Sequence, residues 1–140
     1  MPRRPRDLDL DTGPPPAPPN HRLGHFDYER LDAYAVAREV LSLGETIARG
    51  LPPERAHLAE QLRRALLDAF LGVADTATQT GVARLERARQ TRASASEAAA
   101  ALEAMVIVEL ATPQQVAFPL ELLGRLCAML TRLGTRGLSR

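Results

Sequence analysis

From about Asp27 to the end of the chain, apolar residues recur every three or four positions through four successive stretches. Gly, Pro and Thr separate the stretches. A 3.6-residue period held for about twenty residues at a time is the signature of amphipathic helices. In the first stretch Leu31, Tyr34, Ala37, Val40, Leu41 and Ile47 mark the apolar side. Asp27 is placed to cap it by accepting a backbone N–H. The helix is expected to run to near Arg49, where Gly50 and Pro52-Pro53 end it. The second starts at Pro53 or Glu54 and carries Leu58, Leu62, Ala65, Leu66, Ala69, Val73 and Ala77. Its stripe fades at Thr76, Thr78 and Thr80, and Gly81 marks a break. The third spans roughly Val82 to Leu110, with Val82, Leu85, Ala88, Ala95, Ala98, Ala99, Leu102 and Met105 expected to face inward. Its run SASEAAAALEAM lets helix backbones come close. The fourth opens at Thr112-Pro113-Gln114-Gln115, a capping-box pattern, and continues through Val116, Leu120, Leu123, Leu126, Cys127, Leu130 and Leu133. Pro119 lies inside it, so a kink is expected there, or a short turn before the main helix begins near Phe118.

Short connections between four such helices make sequence neighbours antiparallel. The fold class is therefore all-α, an antiparallel up-down-up-down four-helix bundle over residues 26–140. Residues 1–25 hold seven of the eleven prolines and almost nothing to bury. They are expected to form a disordered, partly polyproline tail, acting as a solvated linker or as a ligand for a partner's groove. The chain is 140 residues, the length of one domain, with 45% hydrophobic residues but only 4% aromatics. Its core must then be built of Leu, Ala and Val.

The charge pattern excludes several function classes. The net charge is +1, too small for a global field toward nucleic acid or membrane. All basic residues are Arg, for which a GC-rich bacterial genome is a sufficient explanation. The single cysteine, Cys127, forbids a disulfide framework within the chain and fits a reducing cytoplasm. No run reaches the roughly 18 apolar residues of a membrane span, and the Arg- and Pro-rich start is not a secretory signal.

The residues that could carry chemistry are few. Arg84, Arg87, Arg89 and Arg92 are relieved only by Glu86. If Arg84, Arg87 and Arg92 share a face, several protomers in a ring would present a positive band to phosphates. The alternative is a solvated face or ion pairing. Adjacent Arg63 and Arg64 diverge by about 100°, so one is expected to reach a carboxylate such as Glu97 or Glu103 while the other meets solvent. Arg125, Arg132, Arg136 and Arg140 suit a helix C-terminus and can extend a phosphate-binding surface. Glu54-Arg55-Ala56-His57 shows the Glu-x-x-His spacing of di-iron bundles once where two copies are required. His21 and His25 have no partner ligands at zinc spacing. Neither a catalytic residue set nor a cofactor or metal site is expected, and Cys127 reads as a small core residue.

Gln61-Leu62-Arg63-Arg64-Ala65 opening the second helix, and Arg92-x-Ser94-x-x-Glu97 in the third, carry a resemblance. With Phe26, Leu31, Tyr34 and Ala37 in the first helix, they resemble the bacterial four-helix-bundle family, also known as the 23S ribosomal RNA intervening-sequence protein family. The resemblance spans about Phe26 to Leu133. It departs at Gly72-Val73-Ala74-Asp75-Thr76, where the family has N-I-A-E-G. It implies a ring-like homopentamer and kinship with the accessory protein of diversity-generating retroelements, which binds nucleic acid and a reverse transcriptase. The expected function is a cytoplasmic, non-enzymatic, self-associating scaffold or adaptor that meets RNA, DNA or a nucleic-acid enzyme through Arg63, Arg64, Arg84, Arg87, Arg89 and Arg92. The alternative is a structural oligomer that binds a protein partner without nucleic acid.

Overall fold

The computed structural model describes residue 28 and residues 31–136, and these form four helices joined by short connections. They are α1 (Asp32–Arg49), α2 (Ala56–Thr78), α3 (Gly81–Ile107) and α4 (Pro113–Thr135), with a single 3-10 turn over Pro53–Arg55. Each helix packs on its sequence neighbour, and α4 closes the ring against α1. Across the diagonals α2 and α4 meet while α1 and α3 do not. The starts of α1 and α3 and the ends of α2 and α4 make one end of the bundle, here the lower end. The α1–α2 and α3–α4 connections make the upper end. The expectations for Asp27, Phe26, His21, His25, Arg140 and residues 1–25 lie outside the described residues.

The core is built as the composition requires. Leu62, Leu66, Leu102, Leu122, Leu123, Leu126 and Leu130 are wholly buried among Ala and Val. Tyr34 is the one aromatic ring in the buried core, among the described residues. Its ring centroid lies 5.4 Å from that of Phe70 of α2 and 5.3 Å from that of Tyr28, with the ring planes tilted by 43° and 56°, within the separation at which aromatic pairs attract.

Helix ends follow local chemistry. Thr112 Oγ1 accepts from the Gln115 backbone N–H at 3.1 Å, and Gln115 Oε1 accepts from the Thr112 N–H at 2.8 Å, so the capping box forms. Gly50 closes α1 with an ordinary right-handed φ of −81°. Left-handed glycine geometry is therefore not what stops α1, and the following Pro52-Pro53 remains as the block. At the end of α3 it is Glu109 that takes the left-handed conformation, at φ 64°. Two expectations need correction. Val82 opens α3 at the bundle's end with 73% of its surface exposed rather than facing inward. Helix α4 runs unbroken through Pro119, so no separate turn precedes a main helix at Phe118.

Glycines mark where the helices come closest. A Cβ added at Gly44 of α1 would strike Leu66 Cδ1 of α2. One at Gly72 of α2 would run into Thr91 Oγ1 of α3 and lie 2.8 Å from its Cγ2. One at Gly134 of α4 would sit 2.7 Å from Ala88 Cβ of α3. Each consecutive helix pair thus has one contact where an extra methyl forces a neighbour to shift. Gly124 of α4 is different: nothing lies within 4 Å of the added atom. Gly124→Ala is expected to stabilise the fold by about 0.5–1 kcal/mol, because alanine restricts the unfolded chain and favours the helix. A lowered midpoint in urea unfolding would contradict this.

Candidate nucleic-acid interface

The arginines of α3 do not form one face. At about 100° per residue, Arg87 and Arg92 point about 140° apart, on opposite flanks of the buried side. Arg87 leans toward α2, where its Nε donates to Asp75 Oδ2 and its Nη1 to Gln90 Oε1. Arg92 leans toward α4, where its Nη1 donates to Thr131 Oγ1 at 2.6 Å. Arg84 turns back under the bundle, and its Nε donates to the Gln79 carbonyl at 2.8 Å. The expected shared face of Arg84, Arg87 and Arg92 is therefore replaced by three arginines that tie α3 to its surroundings. Arg89 alone of the four lies on the outward stripe, beside Glu86 at 3.9 Å.

The corner where the resemblance departs from its family is the place these ties converge. Thr76 Oγ1 donates to the Gly72 carbonyl at 2.7 Å, and Thr91 Oγ1 donates to the Arg87 carbonyl at 2.8 Å. The two hydroxyls lie 3.5 Å apart, both buried. Their own helix carbonyls satisfy them, so burying them leaves no orphan donor. The Arg87 guanidinium holds the Asp75 carboxyl below its ordinary value, chiefly through its hydrogen bond. A carboxylate depressed in the folded state stabilises the fold above its unfolded pKa, and that contribution is lost as pH falls through the folded value. Asp75→Asn is therefore expected to flatten the loss of thermal midpoint on acidification below about pH 4. An acid limb as steep as that of the parent would sink this assignment.

Arg63 reaches a carboxylate, but not Glu97 or Glu103. Its Nε donates to Glu45 Oε1 at 2.9 Å and its Nη2 to Oε2 at 3.1 Å, a two-point pair between α2 and α1. This bond is the main cause that lowers the Glu45 pKa and raises that of Arg63. Arg64, one residue on, is exposed. Both stand twelve residues before Asp75 or nearly so, about 18 Å up the bundle from the α3 arginines. The six residues expected to act together thus fall into two separate places.

What the sequence reading did not assemble is the charge layout of the α3–α4 side. Helix α3 carries Arg84, Arg87, Arg89 and Arg92 in its first half, then only Glu97 and Glu103. Helix α4 carries Glu121 early, then Arg125, Arg132 and Arg136 toward and just past its end. The contact between Arg92 and Thr131 sets their antiparallel register and brings the two basic halves together at the lower end. Between Gly81 and Arg136 the lower half has six Arg against Glu86, and the same register sets Arg125 level with Glu97 near the middle. Above that pair the upper half, with its connection, has Glu103, Glu109 and Glu121 and no Arg. The signal was in the sequence, since no Arg occurs from Ala93 to Gly124.

Other candidate chemistry gains little. Among the described residues, no group of three or more His, Cys, Asp and Glu is placed to hold a metal ion. His57 is exposed on the first turn of α2, and Cys127 is half-buried against the core. A shallow hollow between the start of α1 and the end of α4 is lined by Leu31, Asp32, Met129, Arg132 and Arg136. No helix of the described residues is long and apolar enough to cross a membrane. No family model matches the chain, and no curated protein matches it.

Proposed function

We propose that this chain is a non-enzymatic, self-associating scaffold or adaptor whose lower, arginine-rich end engages the phosphate backbone of nucleic acid. The observation that supports it best is the massing of six arginines against one glutamate at the lower end of α3 and α4. Arg89, Arg132 and Arg136 are exposed there and Arg125 is exposed about two turns above Arg132, and guanidinium is the side chain best matched to phosphate. Arg84, Arg87 and Arg92 stiffen the platform through their protein partners. The reading moves the contact surface from the six residues first expected to this end of the bundle. A partner nucleic-acid enzyme, such as a reverse transcriptase, and a ring-like pentamer remain part of the proposal through the family resemblance alone.

The test is a salt titration with labelled RNA and duplex DNA. Four arginines neutralising phosphates give a slope of log K against log salt near −3.6, since each contact contributes about −0.9 on duplex DNA. Binding should then weaken by about two orders of magnitude between 50 and 200 mM salt. Unchanged mobility of both probes at 50 mM salt would refute the nucleic-acid contact. A second reading, docking of a protein partner, is favoured by Leu67 and Leu71 on the outer side of α2, which are 46% and 52% exposed one turn apart.

A further inference from the structure

Among the described residues, the seam between α1 and α4 is the one that no glycine draws together. Gly44, Gly72 and Gly134 bring the other three neighbouring pairs close. The α1–α4 seam is correspondingly the loosest of the four. At its lower end it opens into a hollow of about 130 Å³. Leu31 and Asp32 of α1 line one wall, and Met129, Arg132, Leu133 and Arg136 of α4 line the other. Leu133 is buried, Leu31 and Met129 are half-buried, and the two arginines are exposed. The hollow thus joins an apolar floor to a charged rim.

The rim arginines are uncommitted. Arg84, Arg87 and Arg92 donate to Gln79, Asp75 and Thr131. Arg132 and Arg136 have no such side-chain partner among the described residues. They stand one turn apart, about 6 Å along the helix and about 40° around it. Two guanidinium forks so placed reach one phosphate from the same side. Asp32 on the facing wall tempers their charge. A singly charged phosphodiester therefore suits the rim better than a monoester, which carries nearly two charges.

Size narrows the ligand further. The hollow is well below the roughly 300 Å³ at which pockets begin to engulf drug-sized ligands. It has room for a single ring and not for a whole nucleotide. The floor suits a flat aromatic ring, because the Met129 thioether adapts its shape and makes favourable contacts with ring edges. Guanidinium planes also stack on bases.

We infer that this hollow seats one base of a single-stranded nucleic acid, with the adjoining backbone phosphate held by Arg132 and Arg136. The inference rests on the phosphate contact proposed above and names the form of nucleic acid that makes it. In a duplex each base is locked in the stack, and extruding one carries an unstacking cost. A single strand has unstacked bases to offer.

Methyl NMR of the full chain, with its methionine methyls labelled, tests this. Met129 reports from the hollow, and the wholly buried Met105 is the control. With a short unpaired oligonucleotide of mixed sequence, the Met129 methyl should shift and show a nuclear Overhauser contact to base protons, while Met105 stays still. The same strand annealed to its complement should leave Met129 unmoved. At about 200 mM salt, where the charge-driven part of binding is weakened, the single strand should bind about tenfold more tightly than the duplex. Arg132→Ala with Arg136→Ala should abolish that preference, whereas Arg89→Ala should weaken both forms alike. A Met129 methyl that stays still while backbone amides of the lower end shift would overturn the base seat and leave the phosphate contact standing. Equal Met129 shifts with the duplex would overturn the choice of single strand. No shift anywhere would overturn both the seat and the phosphate contact.

Discussion

Gly72→Ala is expected to cost about 2–3 kcal/mol of stability and to lower the thermal midpoint by about 10 °C. The added methyl meets Thr91 at the β-carbon end of a branched, buried side chain, 3.0 Å from its Cβ and 2.8 Å from its Cγ2. Thr91 is branched and its Oγ1 is held on the Arg87 carbonyl, so it has little room to turn away, and α2 and α3 must separate. That strains the contacts beside it, from Arg87 on Asp75 to Thr76. Gly44→Ala should cost less, because the obstructing atom is the tip of Leu66, which has rotamers to choose from. The double variant Gly72→Ala with Thr91→Ala checks the cause. Removing the threonine branches makes room for the methyl, so the pair should recover about 1–2 kcal/mol relative to the sum of the singles. Additive losses would mean that the clash is not what matters at Gly72.

The triple variant Arg89→Glu, Arg125→Glu and Arg132→Glu is expected to lose about two to three orders of magnitude in nucleic-acid affinity at low salt. Of the exposed arginines at the lower end it leaves Arg136, so the slope of log K against log salt should fall to about −1. Arg63→Glu with Arg64→Glu makes the comparison at the other end of the bundle. There the expected change in affinity is under threefold, although loss of the pair with Glu45 loosens α1 on α2. If the two variants weaken binding equally, the protein carries a diffuse charge effect rather than a surface. If Arg84→Ala with Arg87→Ala abolishes binding and also lowers stability, those residues act by holding the α2–α3 corner, as their partners Gln79 and Asp75 indicate.

Much of the architecture was legible because it is written in local chemistry. Thr112, Pro113 and Gln115 specify their helix start unaided, and leucine spacing in α2 and α4 names the side that is buried. Helix α3 is harder to read. Alanine occupies both its inner and outer sides, as Ala95 and Ala98 against Ala93 and Ala100 show. Periodicity then cannot orient the helix, and an error in orientation put Val82 inside and three arginines on one face. The glycines pose another limit. An interior glycine costs a helix about 1 kcal/mol and so asks for a packing reason. Gly72 has one and Gly124 has none, yet the two look alike in sequence. Partner choice is likewise a matter of reach across helices, which is why Arg63 met Glu45 rather than Glu97 or Glu103. The charge segregation was the reverse case. Each helix showed its half plainly, and only the antiparallel register of α3 and α4 joined them.

The central claim is that function resides in the basic end of the α3–α4 side. Backbone NMR of the labelled chain, titrated with a short RNA or DNA at low salt, tests it residue by residue. Shifts are expected over residues 82–92 and 125–136, with Arg63, Arg64 and the upper end unmoved. Shifts centred on the start of α2, spread evenly over the bundle, or absent at saturating probe would contradict it.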